Sequence, residues 1–160
     1  MNDTHDIAQD IAAAVRGRGR TIAAAESISA GQVATALAAA PGASEWFSAS
    51  VVAYGTPMKR QILGVKTDTV ISHGCAREMA EGALRLTSAD LVVSVTGVGG
   101  PDAEEGRPPG TVIICAGSRN DLRIFDHAFD GSPEQVVQLA TVHALQHLRD
   151  AALILHGGAS

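Results

Sequence analysis

The segment Leu91-Val92-Val93-Ser94-Val95 is apolar with a single interruption and stops abruptly at Thr96-Gly97-Val98-Gly99-Gly100-Pro101. A strand with one wet face alternates apolar and polar residues, whereas a run apolar on both faces belongs to a strand covered on both sides. Helices are the usual cover, so this run points to an α/β architecture. Composition agrees. Aromatic residues make up only 3% of the chain, so the core is aliphatic, and 17 glycines among abundant Ala, Val, Ile and Leu suit close helix-on-sheet packing. A length of 160 residues with 46% hydrophobic and 18% charged residues supports one full core and is short for two.

Around that run, helical and strand patterns alternate. Between Asp3 and Arg16, Ile7, Ile11, Ala14 and Val15 recur at helical spacing, and Gly17 to Gly19 end the pattern. Thr21 to Ala25 is a short apolar strand candidate, followed by the polar loop Glu26-Ser27-Ile28-Ser29-Ala30-Gly31 and a helix over Gln32 to Ala40. Trp46 to Tyr54 is β-rich, and Gly55-Thr56-Pro57 starts a helix with Lys59 in its first turn. A helix over Ala76 to Leu86 precedes the apolar run. Thr111 to Ala116 and Leu122 to Phe129 read as strands joined by a turn at Ser118 to Asp121. Pro133 opens a last helix to about Leu155, leaving Gly157-Gly158-Ala159-Ser160 as a frayed tail. The expected fold is a single domain over residues 1–160, with its core at about 6–155. It is a three-layer α/β/α sandwich whose mixed, mostly parallel sheet is closed by a late β-hairpin.

A net charge of −5 argues against direct nucleic-acid binding, because that affinity comes largely from basic residues displacing counterions around phosphates. No stretch approaches the apolar length that crosses a bilayer, and Met1 to Asp10 carries acids rather than a basic apolar leader, so the expected location is the cytoplasm. Cys75 and Cys115 lack metal-ligand or CxxC spacing and read as reduced packing thiols. Among six histidines, His143 and His147 stand four apart on the last helix, a legal ligand pair. No glutamate follows His143 as in a zinc-protease motif, so the pair reads as a polar helix face and no metal is expected.

Two polar glycine loops, Glu26 to Gly31 and Thr96 to Pro101, each follow an apolar strand. Ligands of open α/β sheets bind at such carboxyl-end loops. Either loop alone is equally well explained as a turn; two at one end of a sheet point to a site. Ser27 and Lys59 form a hydrolytic pair in outline, since a serine hydroxyl is a weak nucleophile until a base removes its proton, and a desolvated lysine can be that base. The plain alternative for Lys59 is a solvated surface lysine. Helix N-terminal N–H groups near Ala30-Gly31, with the Gly97 to Gly100 loop, can receive an oxyanion or a phosphate. Tyr54 can hydrogen-bond Lys59 or stack on a substrate ring, or simply be a half-buried strand-end tyrosine.

Ala25-Glu26-Ser27-Ile28-Ser29-Ala30-Gly31, Pro41-Gly42-Ala43-Ser44-Glu45-Trp46-Phe47, Tyr54 with Lys59, Leu63-Gly64-Val65 and His73-Gly74 are followed by Glu78-Met79-Ala80-Glu81-Gly82-Ala83, Ala89-Asp90-Leu91, Val95-Thr96-Gly97, Gly99-Gly100-Pro101 and Pro109-Gly110-Thr111-Val112. In this order, across roughly Asp6 to Leu148, the series resembles the C-terminal domain of the competence/damage-inducible CinA proteins, whose stand-alone forms are nicotinamide mononucleotide amidohydrolases. The resemblance implies Ser27 as nucleophile, Lys59 as general base and Tyr54 beside them. It sets Glu26, Ser29, Ala30, Gly31, Thr96, Gly97, Gly99 and Gly100 against the substrate, while Arg107, in a loop position where the family usually has lysine, reads either as a further substrate contact or as a solvated loop charge. The implied reaction is hydrolysis of the nicotinamide carboxamide to a carboxylate with release of ammonia through an acyl-enzyme, needing neither metal nor organic cofactor. A small-molecule partner, a pyridine mononucleotide, and a homo-oligomeric state follow from the same likeness.

The chain departs from the family pattern at several positions. Ile28 and Ala30 stand in place of the usual cysteine and glycine, and Gly55-Thr56 in place of Ser-Asn. Gly131-Ser132-Pro133 replaces Gly-Asp-Arg, and Val137 occupies the place of a nearby arginine. Arginine is a preferred bidentate phosphate ligand. These changes leave a second reading open: a repurposed paralogue that binds a nucleotide-like ligand or a protein partner without turnover.

Overall fold

The computed structural model describes residues 3–157. The elements are α1 (Thr4–Val15), β1 (Ile22–Glu26), α2 (Gln32–Ala38), α3 (Ala43–Trp46), β2 (Phe47–Val52), α4 (Thr56–Leu63), α5 (His73–Thr87), β3 (Leu91–Gly97), β4 (Thr111–Ser118), β5 (Asp121–Ala128) and α6 (Pro133–Gly157). One mixed sheet carries the strands in the order β2-β1-β3-β4-β5. β1 pairs parallel with β2 and β3, while β4 pairs antiparallel with β3 and β5. Every strand except β4 therefore points the same way.

The apolar run is β3, near the middle of the sheet, and its residues alternate between two separate cores. Leu91, Val93 and Val95 join Ile22 and Ala24 of β1 under α1, α2 and α6. Val92 joins Ala23 and Ala25 under α4 and α5. Two apolar faces on one strand require this three-layer arrangement. The polar members of the run turn to the second face and find backbone acceptors there. Ser94 Oγ donates to Ala76 O at 2.6 Å and Thr96 Oγ1 to Val70 O at 2.7 Å, so neither is left unpaired on burial. No helix among the described residues is long and apolar enough to cross a membrane.

Element boundaries moved for identifiable reasons. α5 begins at His73, not Ala76, because Ser72 Oγ accepts the Cys75 N–H at 3.1 Å and caps the helix. Trp46 ends the single turn α3 and does not open a strand; its buried indole donates to Pro41 O at 3.1 Å. α6 continues through Gly157, and the other residues of the expected frayed tail, 158–160, lie outside the described residues.

Two local features place the loops at the carboxyl end of the sheet. The first is Glu26, fully buried at the end of β1. Its carboxylate accepts from Ser29 Oγ at 2.8 Å, the N–H groups of Gly31, Val33 and Ala34 at 3.1, 2.9 and 3.1 Å, and Ser50 Oγ on β2 at 2.7 Å. One side chain thus closes the loop, satisfies the first turn of α2 and ties in the edge strand. The second is Gly82, where a Cβ would stand 2.2 Å from Leu63 O; its absence lets α5 seat directly against the end of α4.

Gly82→Ala is expected to lower stability by about 1–3 kcal/mol through overpacking, as a drop in the urea midpoint at unchanged slope. Glu26→Gln, which preserves shape but aims an amide donor at donors, is expected to lose about 2 kcal/mol or more in the same measurement. A Glu26→Gln protein as stable as the wild type would show that the buried carboxylate does not organise this end of the sheet.

Candidate active site

The parallel strands β2, β1 and β3 all end on one side, and their following loops leave in different directions. The loop after β1 enters α2 on one face, and the loop after β2 enters α4 on the other. Such a divergence opens a crevice outside the strand carboxyl ends. The Ser27 N–H donates to Val95 O at 3.0 Å, continuing the β1–β3 ladder and holding the serine beside the Gly97–Gly100 loop. On the other flank, the Ala53 N–H donates to Glu26 O at 2.9 Å, which aims Tyr54 and the start of α4 across the same opening.

A cavity of about 200 Å³ fills this crevice. Ser27, Tyr54, Lys59, Thr96, Gly97, Gly99 and Gly100 line it, so seven of the positions expected from sequence converge here. Ser27 is 7% exposed and Lys59 2%, so both are reached chiefly through the cavity. The Lys59 Nζ donates to the backbone carbonyl of Tyr54 at 2.7 Å. Burial pushes the Lys59 ammonium below its ordinary value of 10.5, while Cys75, Glu104 and Glu105 pull the other way. The position of Lys59 near the N-terminus of α4 also disfavours a cation. Cys75 is itself pushed up to about 11 by burial, which keeps it a neutral thiol.

The remaining expected residues take other places. Glu26 spends its carboxylate on the α2 hydrogen bonds and does not line the cavity. The α2 N–H groups of Gly31, Val33 and Ala34, expected to be open to an external anion, are taken by this internal one. Ser29 is buried and donates to the same carboxylate. Ala30 and Gly31 form the left-handed turn into α2, at φ 50° and 97°. For alanine that conformation costs roughly 1–2 kcal/mol, a penalty a glycine avoids. Tyr54 holds Lys59 through its carbonyl, and its side chain stands 70% exposed at the cavity rim. Thr96 lines the cavity with its hydroxyl already engaged by Val70 O. Arg107 is exposed in a turn where its backbone pairs with Glu104, outside the cavity lining.

Sequence reading misses Glu104, Val70 and Ile71 as wall residues and gives Ile28, Thr56, Pro133 and Val137 only as departures from the family pattern. Glu104 brings the one acidic side chain of the lining, Thr56 a hydroxyl, and Ile28, Val70, Ile71, Pro133 and Val137 an apolar wall. Val70 and Ile71 are pinned there because Glu105 accepts their N–H groups at 2.9 and 2.7 Å, a contact across 34 to 35 residues of chain. Lys59 is the only lysine or arginine in the lining. The N–H groups of Ile28 and Ser29 have no protein acceptor among the described residues.

Comparison with known proteins bears on this arrangement. Residues 4–152 match the family model for the CinA C-terminal domain. A putative competence-damage inducible protein of Bacillus pumilus is 38% identical over 147 residues, covering 89% of this chain and 35% of that protein. A protein of Shigella flexneri named nicotinamide-nucleotide amidohydrolase PncC is 36% identical over 149 residues, covering 89% of this chain and 90% of that one. The chain thus spans about a third of the Bacillus relative and nearly all of the Shigella one. A crystal structure of competence damage-inducible protein A from Klebsiella pneumoniae superposes with a TM-score of 0.88 at 33% identity, covering 93% of this chain and 96% of that one. With its sheet order, its helical layers and almost its whole length accounted for, the chain belongs to the CinA C-terminal domain family.

Proposed function

We propose that this protein is an amidohydrolase that converts nicotinamide mononucleotide to nicotinic acid mononucleotide and ammonia, with Ser27 as nucleophile and Lys59 as general base. The observation that carries the reading is Lys59: a buried amine lining the same small cavity as Ser27, held by a single carbonyl and facing no salt-bridge partner among the described residues. A neutral lysine tethered by one N–H keeps a lone pair for the Ser27 hydroxyl proton. Ser27 Oγ attacks the carboxamide carbon, and the nearest unengaged donor on the cavity wall for the oxyanion is the N–H of Ile28. The Lys59 ammonium returns the proton to the departing nitrogen, which leaves as ammonia. Water, deprotonated by Lys59, then hydrolyses the acyl-serine and releases the carboxylate. The relative of Shigella named for this class of reaction supports the substrate class.

Val137 favours a second reading. At the place where the family pattern has an arginine, an apolar side chain lines the cavity, so a phosphate has no arginine to grip there. The alternative is a paralogue that binds a nucleotide-like ligand without turning it over. For either reading we infer a cytoplasmic homo-oligomer; exposed Val52, Tyr54, Met58 and Ile62 along β2 and α4 supply apolar surface for self-association.

Purified protein is expected to release ammonia from nicotinamide mononucleotide, and Ser27→Ala and Lys59→Ala each to lower kcat/KM by about a thousandfold or more with unchanged thermal unfolding. Thermal stabilisation by the mononucleotide without ammonia release would favour the binding paralogue. The pH profile has a defined sign. Lys59 acts when neutral and its pKa lies below 10.5, so kcat/KM is expected to rise with pH and level off below that value. Lys59→Arg, charged at every accessible pH, is expected to abolish the rise together with the activity. A rate that falls between about pH 6 and pH 9 would contradict Lys59 as the base.

A further inference from the structure

Away from the candidate active site, three histidines meet between β5 and α6. His143 and His147 lie one helical turn apart on the same face of α6, and His127 projects from β5 toward them. The Nε2 atoms of His127 and His147 are 2.9 Å apart, and one ligand nitrogen from each of the three rings lies within 4.8 Å of the others. This is the only such group of potential ligands among the described residues. Their separation from the polar helix face expected from sequence is physical: the rings are half-buried and clamped by aromatic neighbours. Phe125 stacks on His147 at 3.7 Å between centroids, and Phe129 stacks on His127 at 5.2 Å and touches His143 at 4.8 Å.

We propose that His127, His143 and His147 form a binding site for a borderline divalent transition ion of the zinc class, which ties β5 to α6. Three imidazoles are the donor set such ions prefer, while magnesium and calcium require oxygen ligands that this cluster lacks. Zinc–nitrogen bonds of about 2.0–2.1 Å in a tetrahedral site put the nitrogens roughly 3.3 Å apart. The two closest must therefore separate slightly and the third move in, adjustments of ring rotation rather than of backbone. The facing nitrogens of His127 and His147 can share only one proton, so each offers a lone pair once its ring carries its proton on Nδ1. Burial lowers the pKa of all three rings; repulsion from His143 adds to this at His127 against Asp126, and repulsion from His127 and His143 adds to it at His147, which falls to about 4 against Asp150. A cavity of about 270 Å³ between α6 and the β4–β5 hairpin, lined by Phe125, His147 and Asp150, adjoins the cluster at His147.

The test is titration of the full chain, stripped with chelator, with Zn²⁺ and with Co²⁺ as a spectroscopic substitute. Expected are one ion per chain, the visible absorption of four-coordinate Co²⁺, a raised Tm, and no response to Mg²⁺. His127→Gln and His147→Gln are each expected to weaken binding about tenfold or more while unfolding cooperatively without metal and leaving ammonia release unchanged. Two outcomes overturn the proposal: no saturable Zn²⁺ or Co²⁺ binding by the wild-type chain, which leaves the histidines as an uncharged packing cluster, or binding that survives both substitutions, which puts the ion elsewhere.

Discussion

A carboxylate buried at the end of β1 holds the working end of this fold together. Glu26 has no solvent and no cation to face; five donors from a loop, a helix start and the neighbouring strand surround it instead. Charge-assisted bonds in a site of low dielectric are strong when complete and expensive when broken. The same interaction explains why Ser27 stands where it does. The next residue after an anchored glutamate, bonded through its N–H to β3, has little freedom except to present its side chain to the crevice. Helix N-termini commonly bind a ligand's anion. Here the protein supplies the anion itself, so the start of α2 fixes the loop that carries Ser27 and its N–H groups are not open to an external anion.

Lys59 follows from a second constraint. A lysine withdrawn from water without a carboxylate partner favours the neutral amine, and the lone carbonyl bond from Tyr54 fixes the nitrogen without neutralising it. Cys75, Glu104 and Glu105 oppose the shift that burial imposes. Gly82 permits the close approach of α5 to the end of α4, the helix that carries Lys59.

Much of this was legible in the chain. The apolar run at Leu91 to Val95 demanded cover on both faces, and the helix starts at Gly55-Thr56-Pro57 and Pro133 fell where their residues placed them. Ser27, Lys59 and the Thr96 to Gly100 loop follow neighbouring parallel strands, so their convergence is a consequence of strand direction. What escaped has no local signature. The role of Glu26 depends on a serine 24 residues away, and Val70 and Ile71 reach the cavity only through tertiary packing. The histidine cluster was invisible for the same reason: the spacing of His143 and His147 is readable on a helix, but His127 joins them across the layer from a strand.

The central claim is that Ser27 becomes covalently acylated during turnover. The direct measurement is intact-mass and peptide mass spectrometry of protein quenched in acid while it consumes nicotinamide mononucleotide. The account predicts an added mass equal to the substrate less ammonia, confined to the peptide bearing Ser27 and absent from Ser27→Ala. Ammonia release that proceeds in the Ser27→Ala protein, or an acyl group carried by another residue, would contradict it.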